Sequence, residues 1–191
     1  MMNIAILASG SGSNAENIIK YFAGSDHIKV ALVVSNNPKA AVLERAARLG
    51  VPSFVFTAAD FADGGAVVRL LAGHGVGFIV LAGFMNKITA KLLDAYPGSI
   101  INIHPALLPK YGGKGMYGIN VHKAVVKAGE EVSGITIHYI NEQYDRGEII
   151  FQASCPISPA DTPQDVAAKI HALEHEHYPR VIAELLRPLG R

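Results

Sequence analysis

In the apolar run Ile100-Ile101-Asn102-Ile103-His104, an amide and an imidazole stand two residues apart, and Pro105 follows at once. In a strand, residues i and i+2 share a face, so Asn102 and His104 project together. Pro105 biases His104 toward extended backbone and ends the strand there. Open α/β sheets bind ligands at the carboxyl ends of their strands, which is where this pair sits. An asparagine amide can donate to a developing oxyanion. A histidine can move a proton near neutral pH. The two together suit acyl transfer. A histidine in this role needs a third group to orient it, and Asp145, in the turn "EQYDRGEI", is the natural candidate. No serine or cysteine nucleophile accompanies them, so the acceptor would attack directly. Spacing alone leaves open a hydrogen-bonded buried pair with no chemistry.

A second candidate is the loop "SGSGSNA" (9–15) between the first strand and first helix. Its glycines let backbone N–H groups turn toward a ligand, and a helix N-terminus favours an anion. A phosphate is the natural guest. Gly10 to Ala15 also fits the dinucleotide pattern G-x-G-x-x-G/A. That pattern wants an acidic residue at the end of strand two, where this chain reads "VVSNNPK". With no Asp or Glu for ribose hydroxyls and no Arg for a 2′-phosphate, a monophosphate is preferred and NAD is not expected. A tight turn capped by Ser13 or Asn14 is the structural alternative.

The elements that must position these residues follow from periodicity. Buried strands are expected at 3–8, 28–35, 52–56, 77–83 and 99–104, with helices at 14–24, 39–50, 60–75 and 89–97 between them. Strands apolar on both faces and separated by helices indicate a parallel sheet covered on both sides. After residue 130, "SGITIHYI" and "GEIIFQASC" are joined by too few residues for a crossover helix, so that pair should be antiparallel. A last helix is expected over about 161–187, with Asp161 and Thr162 before Pro163. The fold class is one α/β domain: a mostly parallel sheet, helices on both faces and an antiparallel C-terminal strand pair. It divides into a phosphate-binding half, about 1–98, and a catalytic half, about 99–191.

Bulk properties narrow the partners. A formal net charge of +1 on 191 residues gives no electrostatic case for nucleic acid or an acidic membrane surface. The single cysteine, Cys155, excludes an internal disulfide and fits a reducing cytoplasm. No window approaches the roughly 18 apolar residues of a membrane span, and the N-terminus lacks the basic region of a signal peptide. His171 and His175 share a helical face, but "HALEH" is not H-E-x-x-H and no third ligand is evident, so no metal is expected. The glycines at 112, 113, 115 and 118 suit either a mobile lid or a rigid turn.

Taken together, "ILASGSGSN", "VLAGFM", "INIHPALLPKYGG", "SGITIHYINEQYDRGEIIFQ" and "LEHEHYP" resemble the folate-dependent formyltransferases, over nearly the whole chain. The N-x-H-P-[SA]-L-L-P motif with a downstream aspartate marks the class. The G-x-G-S-N opening resembles the branch acting on glycinamide ribonucleotide in purine biosynthesis. The resemblance implies a Rossmann-like fold and 10-formyltetrahydrofolate as co-substrate. Its partners would be small molecules, with the chain a monomer or homodimer. It further implies that Asn102 stabilises the oxyanion, that His104 transfers the proton, and that Asp145 favours the charged form of His104 and orders water. Gly12, Ser13 and Asn14 would hold the nucleotide phosphate, with His171 and Glu174 at the ribose. Met85, Asn86, Lys87 and Ile88, with Asn141, Glu142, Gln143, Tyr144 and Asp145, would frame the folate beside Asn102. The chain departs from the family where many members carry arginine, at Asn86-Lys87 and Gly64-Gly65. It also has His171 where glutamine is common, and its "KYGGKGMYGINVH" loop is longer.

Overall fold

The computed structural model describes residues 1–187. Its elements run in the order β1 (Met2–Leu7), α1 (Ser13–Tyr21), β2 (Ile28–Ser35), α2 (Ala41–Arg48), β3 (Ser53–Val55), α3 (Ala58–Asp63), α4 (Gly65–Gly73), β4 (Val76–Leu81), α5 (Ala90–Ala95), β5 (Ile100–His104), α6 (Ile119–Lys127), β6 (Val132–Tyr139), β7 (Ile149–Pro156) and α7 (Pro163–Leu185). One seven-stranded sheet takes the order β3-β2-β1-β4-β5-β6-β7. The first five strands are parallel. Both β5–β6 and β6–β7 pair antiparallel.

Alternation along β1 shows why the sheet is covered twice. Ile4 and Ile6 join the core beneath α1, α2, α6 and α7, while Ala5 and Leu7 join the opposite core with Phe61 of α3, Leu71 of α4 and Leu92 of α5. The same parity governs β5: Ile101 and Ile103 pack into the first core, so Asn102 and His104 face the other way. The chain reverses its winding between β1 and β4, and the loops leaving these two strands are tied by the Ser9 N–H on the Gly83 carbonyl at 3.0 Å. That crevice is where an open α/β sheet binds ligands.

Two expectations are corrected. The single helix over 60–75 is two helices, because Gly64 sits at φ +75° and closes α3 before α4 begins. Helix α6, in a stretch that carried no element in the sequence reading, follows a glycine-rich lead and buries Val121 and Val125 one turn apart. The final helix starts at Pro163, capped by a reciprocal box in which the Thr162 hydroxyl accepts from the Asp165 N–H and the Asp165 carboxylate accepts from the Thr162 N–H. Thr162→Ala is expected to cost about 1 kcal/mol, read as a lower urea midpoint with an unchanged slope. No loss of stability would mean that tertiary contacts alone hold the start of α7. Among the described residues no helix is long and apolar enough to cross a membrane.

Candidate active site

A cavity of about 520 Å³ opens at the carboxyl ends of the central strands. It is lined by the loop after β1 (Gly10 to Asn14), the loop after β4 (Met85 to Ile88), the end of β5 (Asn102 to Pro105), the glycine-rich segment before α6, the β6–β7 turn and one face of α7. Every residue named above as catalytic or nucleotide-contacting therefore lies on one wall or another of a single cavity. Of the expected folate frame, Glu142 is absent from that lining, and its side chain lies exposed on the turn.

Three elements bring the chemistry-bearing groups together. His104 is buried at the end of β5, and Asp145 is held in the β6–β7 turn at φ +52°. That turn is tight: a Cβ on Gly147 would fall 1.6 Å from the Tyr139 carbonyl oxygen. The Asp145 Oδ2 lies 3.7 Å from His104 Nδ1 and accepts the Gly113 N–H at 2.8 Å. His104 Nε2 lies 2.7 Å from the Tyr111 carbonyl oxygen, so that nitrogen carries a proton and donates it. The nitrogen left to exchange a proton is Nδ1, on the Asp145 side. At 3.7 Å the two groups are neighbours without a direct hydrogen bond.

The structure adds a residue that the sequence reading passed over. His138 of β6 is the cross-strand partner of Asn102, and its side chain has no solvent exposure. Its Nδ1 donates to the Tyr139 carbonyl at 2.9 Å, which leaves Nε2 as an acceptor 3.4 Å from the Asn102 amide nitrogen. One Asn102 N–H is thereby turned to His138 while the second remains for a ligand. Asp145 Oδ1 stands 3.7 Å from the same His138 nitrogen, so one carboxylate touches both histidines. The signal was present in "ITIHYI": Thr136 and His138 are polar at i and i+2 in an apolar strand, as Asn102 and His104 are in β5. Thr136 has its own task, donating to the Ala106 carbonyl and accepting from the Leu108 N–H, which shapes the turn after His104.

Burial pushes the His138 imidazole below its ordinary value of 6.5, with the Tyr139 carbonyl and Asp145 opposing that shift. His138 is therefore neutral at pH 7, and its protonation on acidification removes the lone pair that faces Asn102. An NMR titration of this ring should give a midpoint under 6.5. A midpoint above it would mean that Asp145 dominates and that His138 works as a cation.

The phosphate-type loop is built from the same crossing. Gly12 takes φ +73° ahead of α1, and neither Ser13 nor Asn14 caps the helix through its side chain. The first N–H groups of α1 thus face the cavity's glycine wall without a side-chain acceptor. Helix α2 backs the loop: the Val42 N–H donates to the Gly10 carbonyl, and Arg45 Nε donates to the Ser11 carbonyl at 2.7 Å. Asn14 instead spends its amide N–H on Glu174 Oε2 at 2.9 Å, across 160 residues of chain. His171 Nδ1 lies 2.9 Å from the same oxygen. That carboxylate hydrogen bond favours the His171 imidazolium and holds its pKa above the ordinary value. Glu174 is itself buried, and both of these contacts fall on its Oε2. One turn later the buried Tyr178 hydroxyl donates to the Leu81 carbonyl at the end of β4, which pins α7 over the crevice.

The cavity mouth is apolar where the two loops meet. Met85 is 57% exposed and Tyr144 49% exposed, and Lys87 Nζ stands 5.8 Å from the Tyr144 ring centroid. A flat aromatic ligand has a landing there. Asn86 accepts from the Asn36 amide at 2.8 Å and so braces the loop.

A parallel sheet with a phosphate-type loop at its crossing and an amide, imidazole and carboxylate at the next strand end is the frame of a group-transfer enzyme. The chain belongs to the formyl transferase family, whose model matches residues 2–182. It is 40% identical over 191 residues to the phosphoribosylglycinamide formyltransferase of Bacillus subtilis, a match covering 97% of this chain and 95% of that protein. It is also 40% identical to the chloroplastic phosphoribosylglycinamide formyltransferase of Arabidopsis thaliana, of which it spans 64%. Among solved structures, the glycinamide ribonucleotide transformylase 1 of Geobacillus kaustophilus superposes with a TM-score of 0.89 at 40% identity, covering 97% of this chain and 99% of that one.

Proposed function

We propose that the chain transfers the formyl group of 10-formyltetrahydrofolate to the amino group of glycinamide ribonucleotide, yielding the N-formyl nucleotide and tetrahydrofolate. The observation that carries this reading is the meeting, in one cavity, of an anion-receptive glycine loop with Asn102, His104 and Asp145. The nucleotide phosphate docks on the backbone of Gly12, Ser13 and Asn14. Its ribose hydroxyls donate to Glu174, which Asn14 and His171 hold in place. The folate lies between Met85–Ile88 and the 141–145 turn.

The free amine attacks the formyl carbon, and the C=O pair moves onto oxygen. The Asn102 amide and the His104 imidazolium stabilise that oxyanion. Collapse breaks the bond to the folate N10. N10 gains a proton and the attacking nitrogen loses one, with His104 Nδ1 and water held by Asp145 relaying between them. The amine must be neutral to attack, so the rate falls in acid. A binding module that only held a nucleotide would need the glycine loop but no convergence at Asn102.

The direct assay follows tetrahydrofolate release with glycinamide ribonucleotide as acceptor and methionyl-tRNA as control. Release with the nucleotide alone supports the reading, and release with the tRNA alone rejects it. Glu174→Ala should raise KM for the nucleotide by roughly 10- to 100-fold and leave KM for the folate unchanged. An equal rise in both would remove Glu174 from the ribose.

A further inference from the structure

His122 is a buried imidazole that the scheme above does not use. It sits in the first turns of α6, is 3% exposed, and lines the cavity. Its Nδ1 is buried with no hydrogen-bond partner among the described residues. On the same helix Val125 packs into the core, while Ile119, one turn before His122, also faces the cavity. A buried ring nitrogen left unpaired costs free energy, and such groups in native proteins are explained by a ligand or a strained role.

We propose that His122 hydrogen-bonds the glycinamide portion of the nucleotide substrate and so selects it over other ribose phosphates. The inference rests on the substrate reading given above. With the phosphate on Gly12, the ribose on Glu174 and the reacting amine beside His104, the linking amide must run from Glu174 toward His104. His122 lines the same cavity as His104, His171 and Glu174. Burial, the largest influence on the ring, and the neighbouring histidines keep it neutral, against the pull of Glu174. A neutral imidazole offers one donor and one acceptor, and an amide offers the complementary pair. A phosphate would call for a cation instead, and burial disfavours one here.

The test compares wild type, His122→Leu and His122→Asn at saturating 10-formyltetrahydrofolate, with ribose 5-phosphate as a competitive inhibitor. Ribose 5-phosphate keeps the phosphate and the ribose and lacks the glycinamide. His122→Leu should raise KM for the nucleotide by roughly 10- to 100-fold, with KM for the folate and Ki for ribose 5-phosphate unmoved. His122→Asn, which places an amide near the position of Nδ1, should recover most of that loss. An unchanged nucleotide KM in His122→Leu overturns the inference. So does a parallel rise in the ribose 5-phosphate Ki, which would put the contact on the ribose. A loss shared by both substrates and not rescued by asparagine would make His122 a packing residue and also overturn it. A wild type that binds the nucleotide but transfers nothing to it overturns the substrate reading, and this inference with it.

Discussion

Asp145→Asn lowers turnover by roughly 10²–10⁴-fold and leaves both KM values near wild type. The carboxylate faces His104 Nδ1 and His138 Nε2 at 3.7 Å each and accepts the Gly113 N–H. Asparagine keeps the shape and one acceptor for Gly113. It removes the negative charge that stands 3.7 Å from His104 Nδ1. It also sets an amide between two imidazoles whose other nitrogens are committed to the Tyr111 and Tyr139 carbonyls. His104→Ala and Asn102→Ala should be comparably damaging, and the pairwise combinations should lose far less than the product of the single losses, because the groups act as a unit. Steady-state kinetics of the three single and three double variants decide it. Fully multiplicative losses would mean that the groups act independently.

Gly12→Ala should cripple nucleotide use for a different reason. At φ +73° an added Cβ is strained by its own backbone, by about 1 kcal/mol. Space is the larger obstacle. The Cβ would lie 2.5 Å from the Cβ and Cγ2 of Val42 and 2.7 Å from its Cα. Val42 is fully buried in α2, and its own N–H holds the Gly10 carbonyl, so the neighbour cannot yield without carrying the loop along. The first N–H groups of α1 then leave the positions from which they face an anion. Nucleotide KM should rise at least about 100-fold, in line with several charge-assisted hydrogen bonds lost together. Folate affinity, measured by fluorescence titration, should stay near wild type because the folate frame lies on other loops. A variant with normal nucleotide KM would show that the phosphate binds elsewhere.

Much of this was legible in the chain. The five parallel strands announced themselves as apolar runs between helical patterns because both faces of the sheet are covered. Asn102 and His104 stood out because polar residues at i and i+2 are rare in such a run. The antiparallel β6–β7 pair followed from a connection too short for a helix. What stayed hidden depended on contacts between distant segments or on weak local signals. The bond from Asn14 to Glu174 joins segments 160 residues apart, so no local pattern encodes it. His138 is defined as a partner of Asn102 only by the register of β5 against β6. Helix α6 follows a glycine-rich lead and buries only Val121, His122 and Val125, a short stripe with a histidine in it. Gly64 was visible inside the pattern of 60–75, yet only its backbone angle distinguishes a tolerated helix glycine from a terminus.

The most direct measurement is a single turnover with the formyl carbon of 10-formyltetrahydrofolate labelled with ¹³C, followed by NMR in the presence of glycinamide ribonucleotide. The label should leave the folate and appear on the glycinamide nitrogen, one equivalent per tetrahydrofolate formed, and Asp145→Asn should slow that appearance without changing its endpoint. Label released as free formate, or retained on the folate while the nucleotide is bound, would contradict formyl transfer at this site.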